Sequence, residues 1–199
     1  EHELQSYFIS KIEKYLKDIP KASNGRPDSI AVYDYYKKHY WDGVDFKEDG
    51  LARTPFFHGR LSRYFDGVVI RNPDSVAVEI DRIMNQAVDG SIMYKLLLAH
   101  FVNKYETSKI MGYDKVFVYI VDKYFKTGKA KDIYNDDNIV NNIINRANIL
   151  RELGRLDEAM ADSNKAIALD PDYLDALNSR ALIFKETNRL DETLADLDK

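Results

Sequence analysis

The stretch NRANILRELGRLDEAMAD, residues 145–162, decides the fold, because a related stretch, SRALIFKETNRLDETLAD, follows 34 residues later at 179–196. Arg146 falls on Arg180 in this overlay, and the triplet LDE falls on LDE. A fixed period of this size, with apolar residues at helical spacing, indicates helical hairpins that stack on one another. The last third of the chain therefore predicts a repeat architecture.

Residues 140–199 resemble tetratricopeptide repeats, with one repeat at 140–173 and a second, incomplete one at 174–199. Gly154 and Asn188 fall where the turn inside each hairpin requires a residue that tolerates positive φ. Two repeats are fewer than the roughly three that such arrays usually need for stability. We therefore expect support from the preceding helices, from a continuation of the chain or from another chain, including self-association through the incomplete repeat.

The composition changes near residue 140, which predicts a domain boundary between 1–139 and 140–199. Of the 24 aromatic residues, 22 lie before 140, and the second part supplies the whole net charge of −4. Helical periodicity and turn residues predict helices at about 4–19, 27–40, 56–70, 73–88, 91–107, 113–127 and 138–153, with a loop at 41–55. The expected fold is all-α, built of antiparallel helical hairpins, with the N-terminal helical unit continuing into a short tetratricopeptide-type α-solenoid. We expect the helix at 138–153 to serve both parts.

Residues 37–128 resemble an uncharacterised helical domain that lies ahead of thioredoxin-like domains in exported thiol–disulfide oxidoreductases of Gram-negative bacteria. The resemblance is carried by YWD (40–42), LARTPFF (51–57), PDS (73–75) and KIMGYDKVFV (109–118). It implies a periplasmic or otherwise exported protein, outer-membrane association included, in the company of redox proteins. A cytoplasmic location stays open. The chain begins without Met, so we expect a processed or trimmed product.

The composition also narrows the classes of function. The chain has no cysteine, which excludes disulfides, thiol catalysis and thiolate metal sites within it. Basic and acidic residues are interleaved rather than clustered, which argues against nucleic acid as a partner. The longest apolar runs, such as 94–102, fall short of the roughly 20 residues that span a membrane.

The resemblance to tetratricopeptide repeats implies a binding surface, because in such arrays a peptide lies along the concave face formed by the first helix of each hairpin. Carried over by position, that face comprises Asn141, Ile144, Asn145, Asn148, Arg151, Glu152, Asp175, Asn178, Ser179, Leu182 and Lys185. The asparagine amides suit an extended peptide backbone, but Ile144 stands where members that clamp a carboxylate carry Lys. The alternative is that these are ordinary solvated positions on two helices.

Residues suited to catalysis or metal binding are few. No phosphate-cradling glycine loop, HExxH motif or GxSxG motif occurs, so we expect no cofactor, no metal and no catalysis by this chain alone. A candidate pocket combines His39, Trp41 and His58. In the alternative, the aromatic residues fix the 41–55 loop to the core and His39 bonds to the backbone. The acidic run YNDDN (134–138) suits either a calcium ion or a helix cap.

Three hypotheses of function follow. The first is a non-catalytic helical protein–protein interaction or scaffold module that binds a protein or peptide. The alternative is an accessory N-terminal region of a thiol–disulfide oxidoreductase system whose redox cysteines lie on another domain or chain. The third, a hydrolase built around His39 and His58, rests on two histidines near one loop.

Overall fold

The computed structural model describes residues 21, 25, 28–130 and 136–197, and the helix expected at 4–19 lies outside them. The described residues form helices and no β-strand. The helices are α1 (Ser29–His39), α2 (Asp49–Ala52), α3 (Pro55–Gly67), α4 (Pro73–Met84), α5 (Ile92–Glu106), α6 (Asp114–Ile120), α7 (Asp136–Glu152), α8 (Leu156–Leu169), α9 (Leu174–Glu186) and α10 (Leu190–Leu197). A π-helical turn, Val121–Phe125, continues α6. The all-α prediction is confirmed.

Side-chain caps explain where several helices begin. Asn72 accepts hydrogen bonds from the backbone N–H groups of Asp74 and Ser75, and Pro73 takes the first helical position, where its missing N–H is harmless. Asp28 caps α1 by accepting from Ile30 N at 2.9 Å, so this helix begins at Ser29 rather than at 27. Local capping chemistry thus fixes both helix starts.

The predicted loop at 41–55 contains a short helix, so that part of the prediction is wrong. Glu48 caps α2 by accepting from Gly50 N, and Asp49 accepts from the backbone N–H of Met93 at 2.9 Å. The second bond attaches α2 to the start of α5. A helix of four residues shows no periodicity in the sequence, and its position depends on this distant partner.

The chain forms two compact units. Among the described residues, unit 1 comprises 21, 25, 28–45 and 59–69, and unit 2 comprises 46–58, 70–130 and 136–197.

Aromatic contacts fill unit 1. Trp41 is buried and its ring centroid lies 5.1 Å from that of Tyr64. Arg60 lies over the rings of both Tyr40 and Trp41, and the Tyr40 hydroxyl donates to the Arg60 carbonyl at 3.0 Å. The Tyr33 hydroxyl donates to Val68 O at 2.7 Å. Tyr33 and Tyr40 are therefore half-buried rings whose hydroxyl groups keep a hydrogen bond.

Unit 2 contains helices α4 to α10, and the repeats belong to it. Helix α7 packs against α6 and the π-turn on one side and against α8 and α9 on the other. An apolar cluster joins these elements; its buried members are Val118, Leu150, Ala159 and Ile183. The N-terminal helices of unit 2 thus continue directly into the solenoid, as the sequence predicts. Helix α7 runs through residues 139 and 140 without interruption. The predicted domain boundary between these two residues stays a prediction.

The two hairpins of the solenoid close through matching turns. Gly154 has a φ of 73° and Asn188 a φ of 59°, the two positions that the 34-residue period aligns. Their N–H groups donate to Arg151 O and Lys185 O, respectively. Asn188 is the sole non-glycine residue with positive φ among those described. Asparagine adopts this conformation more easily than most residues, so the two turns are equivalent despite their different sequences.

Candidate functional site

Helices α7 and α9 carry the residues that the tetratricopeptide resemblance assigns to a binding face. Asn141, Asn178, Leu182 and Lys185 are exposed, as are Glu152 and Asp175; Asn145, Asn148 and Arg151 are half-buried; Ile144 and Ser179 are buried. The last two therefore present almost no surface to a partner. The assignment of the remaining positions to a binding face stays a prediction.

Three of the asparagines already make one hydrogen bond each. Asn145 Nδ2 donates to Glu106 Oε1, and Asn141 Oδ1 accepts from the Tyr173 hydroxyl. Asn148 Oδ1 accepts from Ser179 Oγ at 3.0 Å. These bonds hold each amide at one of its two polar atoms, and a primary amide carries both donor and acceptor groups. The face thus offers both donors and acceptors.

Two serine hydroxyl groups connect Asn148 of α7 to helix α8 through hydrogen bonds. Ser163 Oγ, on α8, lies 3.3 Å from Ser179 Oγ and donates to it, and it also lies 3.0 Å from Ala159 O. Ser163 stands where tetratricopeptide repeats usually carry an aromatic residue. The small buried hydroxyl replaces apolar packing with a polar connection between α8 and α9, which reaches the surface at Asn148.

Buried ion pairs hold the two repeats in equivalent ways. Arg146 is 1% exposed and donates to Asp162 of its own hairpin and, at 2.6 Å, to Asp122 Oδ2 of the π-turn. Lys126 Nζ lies 3.2 Å from Asp162 Oδ1. A buried guanidinium is tolerated only when carboxylates pair with it in good geometry. The pair therefore depends on the element before the repeat as well as on the repeat itself.

The second repeat contains the same arrangement 34 residues later. Arg180 donates to Asp196 of its own hairpin through both Nε and NH2, and through NH1 to Asn164 Oδ1 at 2.9 Å. Asn164 lies on α8, the helix preceding α9, just as Asp122 precedes α7. Hydrogen bonding to Asp196 raises the pKa of Arg180 above its usual value. Each repeat arginine thus joins its own hairpin to the element before it.

Sequence reasoning missed this pairing, although a signal was present. Arg and Asp recur together at the 34-residue period, separated by 16 residues in both repeats. Charge and period alone do not show that the arginine is buried. The burial follows from the position of Arg146 between two helices, which only the packing defines.

A second polar cluster in unit 2 is centred on a carboxylate of α4. Asp81 of α4 accepts hydrogen bonds from the hydroxyls of Tyr119 and Tyr124 and from Lys123 Nζ. Burial, reinforced by the carboxylate, raises the pKa of Tyr124 well above its usual value, and burial raises that of Tyr94 to about 12. The Tyr124 phenol is therefore neutral near pH 7 and donates to Asp81, which suits a structural role in fixing the π-turn to α4.

The residues of the candidate pocket are divided between the two units. In unit 1, His39 Nδ1 lies 2.9 Å from Asp42 Oδ2, and Trp41 is buried. In unit 2, the rings of His58 and His100 meet edge to face at 4.9 Å. His39 thus pairs with a carboxylate rather than with the backbone, and Phe56 is exposed rather than packed on the core. A pocket formed by His39, Trp41 and His58 stays a prediction.

Within the described residues, no group of three or more His, Asp or Glu side chains is arranged to hold a metal ion. The acidic run at 134–138 lies partly outside those residues, so its assignment to calcium or to a helix cap stays open. None of the described helices has the length and apolar character needed to cross a bilayer.

The class of protein is now defined: an all-α chain whose helices continue into tetratricopeptide-type hairpins. Comparison with known families agrees. Residues 147–188 match the tetratricopeptide (TPR) repeat model, and residues 5–140 match the family described as domain of unknown function DUF5106. The chain therefore belongs to the DUF5106 family and carries a TPR repeat, a type that generally mediates protein interactions. No curated protein and no solved structure matches the chain.

Proposed function

We propose that this protein is a non-catalytic interaction module that holds an extended peptide segment of a partner protein on the exposed amides of α7 and α9. The observation that carries the proposal is the set of asparagine side chains on these two helices. Asn148 is fixed by Ser179 and Asn145 by Glu106, while Asn178 is exposed on α9. An extended backbone has unpaired donors and acceptors at regular intervals, and such amides satisfy them.

The charged residues of these helices also favour an extended peptide that is not strongly charged. Arg151 NH1 donates to Glu186 Oε1 at 2.6 Å, so this cation and this anion largely neutralise each other. The face presents neutral amides beside the exposed Leu182 and Lys185, and Glu152 and Asp175 are its exposed acidic residues. A peptide with apolar and polar side chains fits such a surface better than a strongly charged one does.

The test begins with a displayed library of random peptides selected on the full chain. Affinities of the selected peptides are then measured for Asn148→Ala and Asn178→Ala. Each lost amide bond is expected to weaken binding by about three- to tenfold, which corresponds to about 0.5–1.5 kcal/mol. The matched control is Asn103→Ala, an exposed asparagine on α5. Unchanged affinity in both face variants, with circular dichroism showing intact helices, would overturn the assignment.

The alternative function, an accessory region of a thiol–disulfide system in the periplasm, is supported by the resemblance of residues 37–128 alone. The chain has no cysteine, so the redox cysteines would lie on another domain or chain. Fractionation of cells that produce the protein tests the location, and a cytosolic fraction alone would contradict it. Self-association through the incomplete repeat is a separate part of the proposal, and sedimentation equilibrium measures it.

A further inference from the structure

Two arginines of α3, one helical turn apart in unit 1, are bonded to neutral acceptors only. Arg60 donates through NH2 to the carbonyl oxygen of Tyr40. Arg63 is exposed and donates through Nε to the carbonyl oxygen of Gly59 at 3.2 Å. Of the residues that the structure describes, none places a carboxylate within ion-pair distance of either guanidinium. Since a guanidinium carries five N–H donors, each arginine keeps donors for a further acceptor.

Aromatic rings hold Arg60 in place and remove part of its hydration. Its Cζ atom lies 5.3 Å from the ring centroid of Tyr40 and 5.5 Å from that of Trp41. Burial lowers the pKa of Arg60, because partial removal from water disfavours the charged form. A cation in this position is stabilised when an anion pairs with it.

The nearby charges leave room for such an anion. Asp42 attracts Arg60 and offsets part of the decrease in its pKa, but Asp42 Oδ2 is paired with His39 Nδ1 at 2.9 Å. The positive charge of Arg63 adds to the decrease, because the two arginines repel each other. An anion that contacts both guanidinium groups relieves this repulsion and accepts their remaining hydrogen bonds.

The paired arginines favour a phosphate monoester over a carboxylate. A carboxylate has one charge and two oxygens, which suits a single guanidinium fork. A phosphate monoester has about −1.5 to −2 charges at pH 7 and three acceptor oxygens, so it can bridge two arginines. Beside them, the ring of Tyr36 is 47% exposed, lies 5.6 Å from that of Tyr40 and is close enough to Arg60 to influence its pKa. This ring offers an apolar surface to the organic part of an ester.

We propose that Arg60 and Arg63 bind the phosphate group of a small phosphate monoester, whose organic part packs on the ring of Tyr36. These side chains come from α1 and α3 and belong to unit 1. The helices α7 and α9, which carry the proposed peptide-binding amides, belong to unit 2. The phosphate site is therefore a separate function of the same chain.

Isothermal titration calorimetry of the full chain with phenyl phosphate tests the proposal, in a phosphate-free buffer of low ionic strength where screening is weak. Two related anions are titrated in parallel. Benzoate has the same ring with a carboxylate, and it is expected to bind at least about tenfold more weakly than phenyl phosphate. Inorganic phosphate has no organic part, and it is expected to bind at least about threefold more weakly.

Variants assign the binding to these side chains. Arg63→Gln is expected to weaken phenyl phosphate binding about three- to tenfold, and Arg60→Lys, which keeps the charge but loses the planar fork, by about tenfold. Tyr36→Ala should remove the advantage of phenyl phosphate over inorganic phosphate. Arg53→Gln, at an exposed arginine of unit 2, is the matched control for net charge and should bind as the unchanged chain does. So should Asn148→Ala, which separates this site from the proposed peptide surface.

Three results would overturn the proposal. The first is the absence of saturable phenyl phosphate binding to a chain whose circular dichroism shows intact helices. The second is an equal loss of affinity in Arg63→Gln and Arg53→Gln, because net charge alone would then explain the binding. The third is equal affinity for phenyl phosphate and benzoate or for phenyl phosphate and inorganic phosphate, since the site would then recognise neither the phosphate group nor the ester as a whole.

Discussion

Removal of the buried Arg146 guanidinium tests how much the ion pair with Asp162 contributes to the free energy of unfolding. Arg146→Met keeps most of the side-chain volume but leaves Asp162, which is 1% exposed, without its main counter-charge. Breaking one partner of such a pair costs about 3–5 kcal/mol. Lys126 lies 3.2 Å from Asp162 and offsets part of the loss, so we expect about 3 kcal/mol. Asp122 also loses a hydrogen bond, but it is half-exposed and water replaces that bond.

Urea unfolding followed by far-ultraviolet circular dichroism measures this cost. Two comparisons make the result interpretable. Arg155→Met breaks an exposed pair with Glu158 and should cost less than about 1 kcal/mol. The double change Arg146→Met and Asp162→Leu removes both buried charges and should recover much of the stability that the single change loses.

The reasoning is refuted if Arg146→Met costs no more than Arg155→Met. It is equally refuted if the double variant is less stable than the single one. The first result would show that the buried pair contributes little beyond packing, and the second would show that Asp162 stabilises the fold without Arg146, for example through Lys126. Arg180→Met extends the test to the second repeat, where Arg180 is 18% exposed, and a smaller cost of about 1.5–3 kcal/mol is expected.

The other predictions concern the backbone and the phenols. Gly154→Ala should lower the free energy of unfolding in urea by about 1–2 kcal/mol, because a φ of 73° is strained for a residue with a Cβ. Asn188→Gly, at the equivalent turn, should leave that free energy almost unchanged or raise it. Asn72→Ala should lower the free energy of unfolding by about 1 kcal/mol, since the cap of α4 is lost; a change below about 0.3 kcal/mol would contradict that role. Burial raises the pKa of Tyr94 from its ordinary value of 10.0 to about 12. At a pH between these two values, the folded state keeps the proton of the Tyr94 hydroxyl, whereas the unfolded chain releases it. Stability should therefore fall as pH rises from 10 to 12, and Tyr94→Phe should weaken that dependence.

Much of the fold could be predicted because the relevant information is local or periodic. The 34-residue period predicted the hairpins, and the turn residues Gly154 and Asn188 have the positive φ expected of them. The cap at Asn72 depends on the residue type and on the proline that follows it, which are adjacent in the sequence. Each of these features depends on residues close together in sequence or on a repeat within the sequence itself.

The features that were missed depend on partners distant in sequence. Nothing near Asp81 indicates that two tyrosines and a lysine some forty residues later donate to it. The short helix α2 was read as loop because four residues carry no period, and Asp49 fixes it to α5 across 44 residues. Within the predicted binding face, the sequence did not show that Ile144 and Ser179 are buried, because the positions of the helices around them are not encoded locally.

The bond from Arg146 to Asp122 has a consequence for how such proteins evolve. A duplicated hairpin carries its own Arg and Asp, as the pairs at 146 and 162 and at 180 and 196 show. It does not carry the oxygen that the preceding element supplies, which is Asp122 in one case and Asn164 in the other. Recombination that joins a hairpin to a new N-terminal neighbour therefore keeps this bond only where that neighbour offers an oxygen at the same place. A carboxylate meets this requirement at the first junction and an amide at the second.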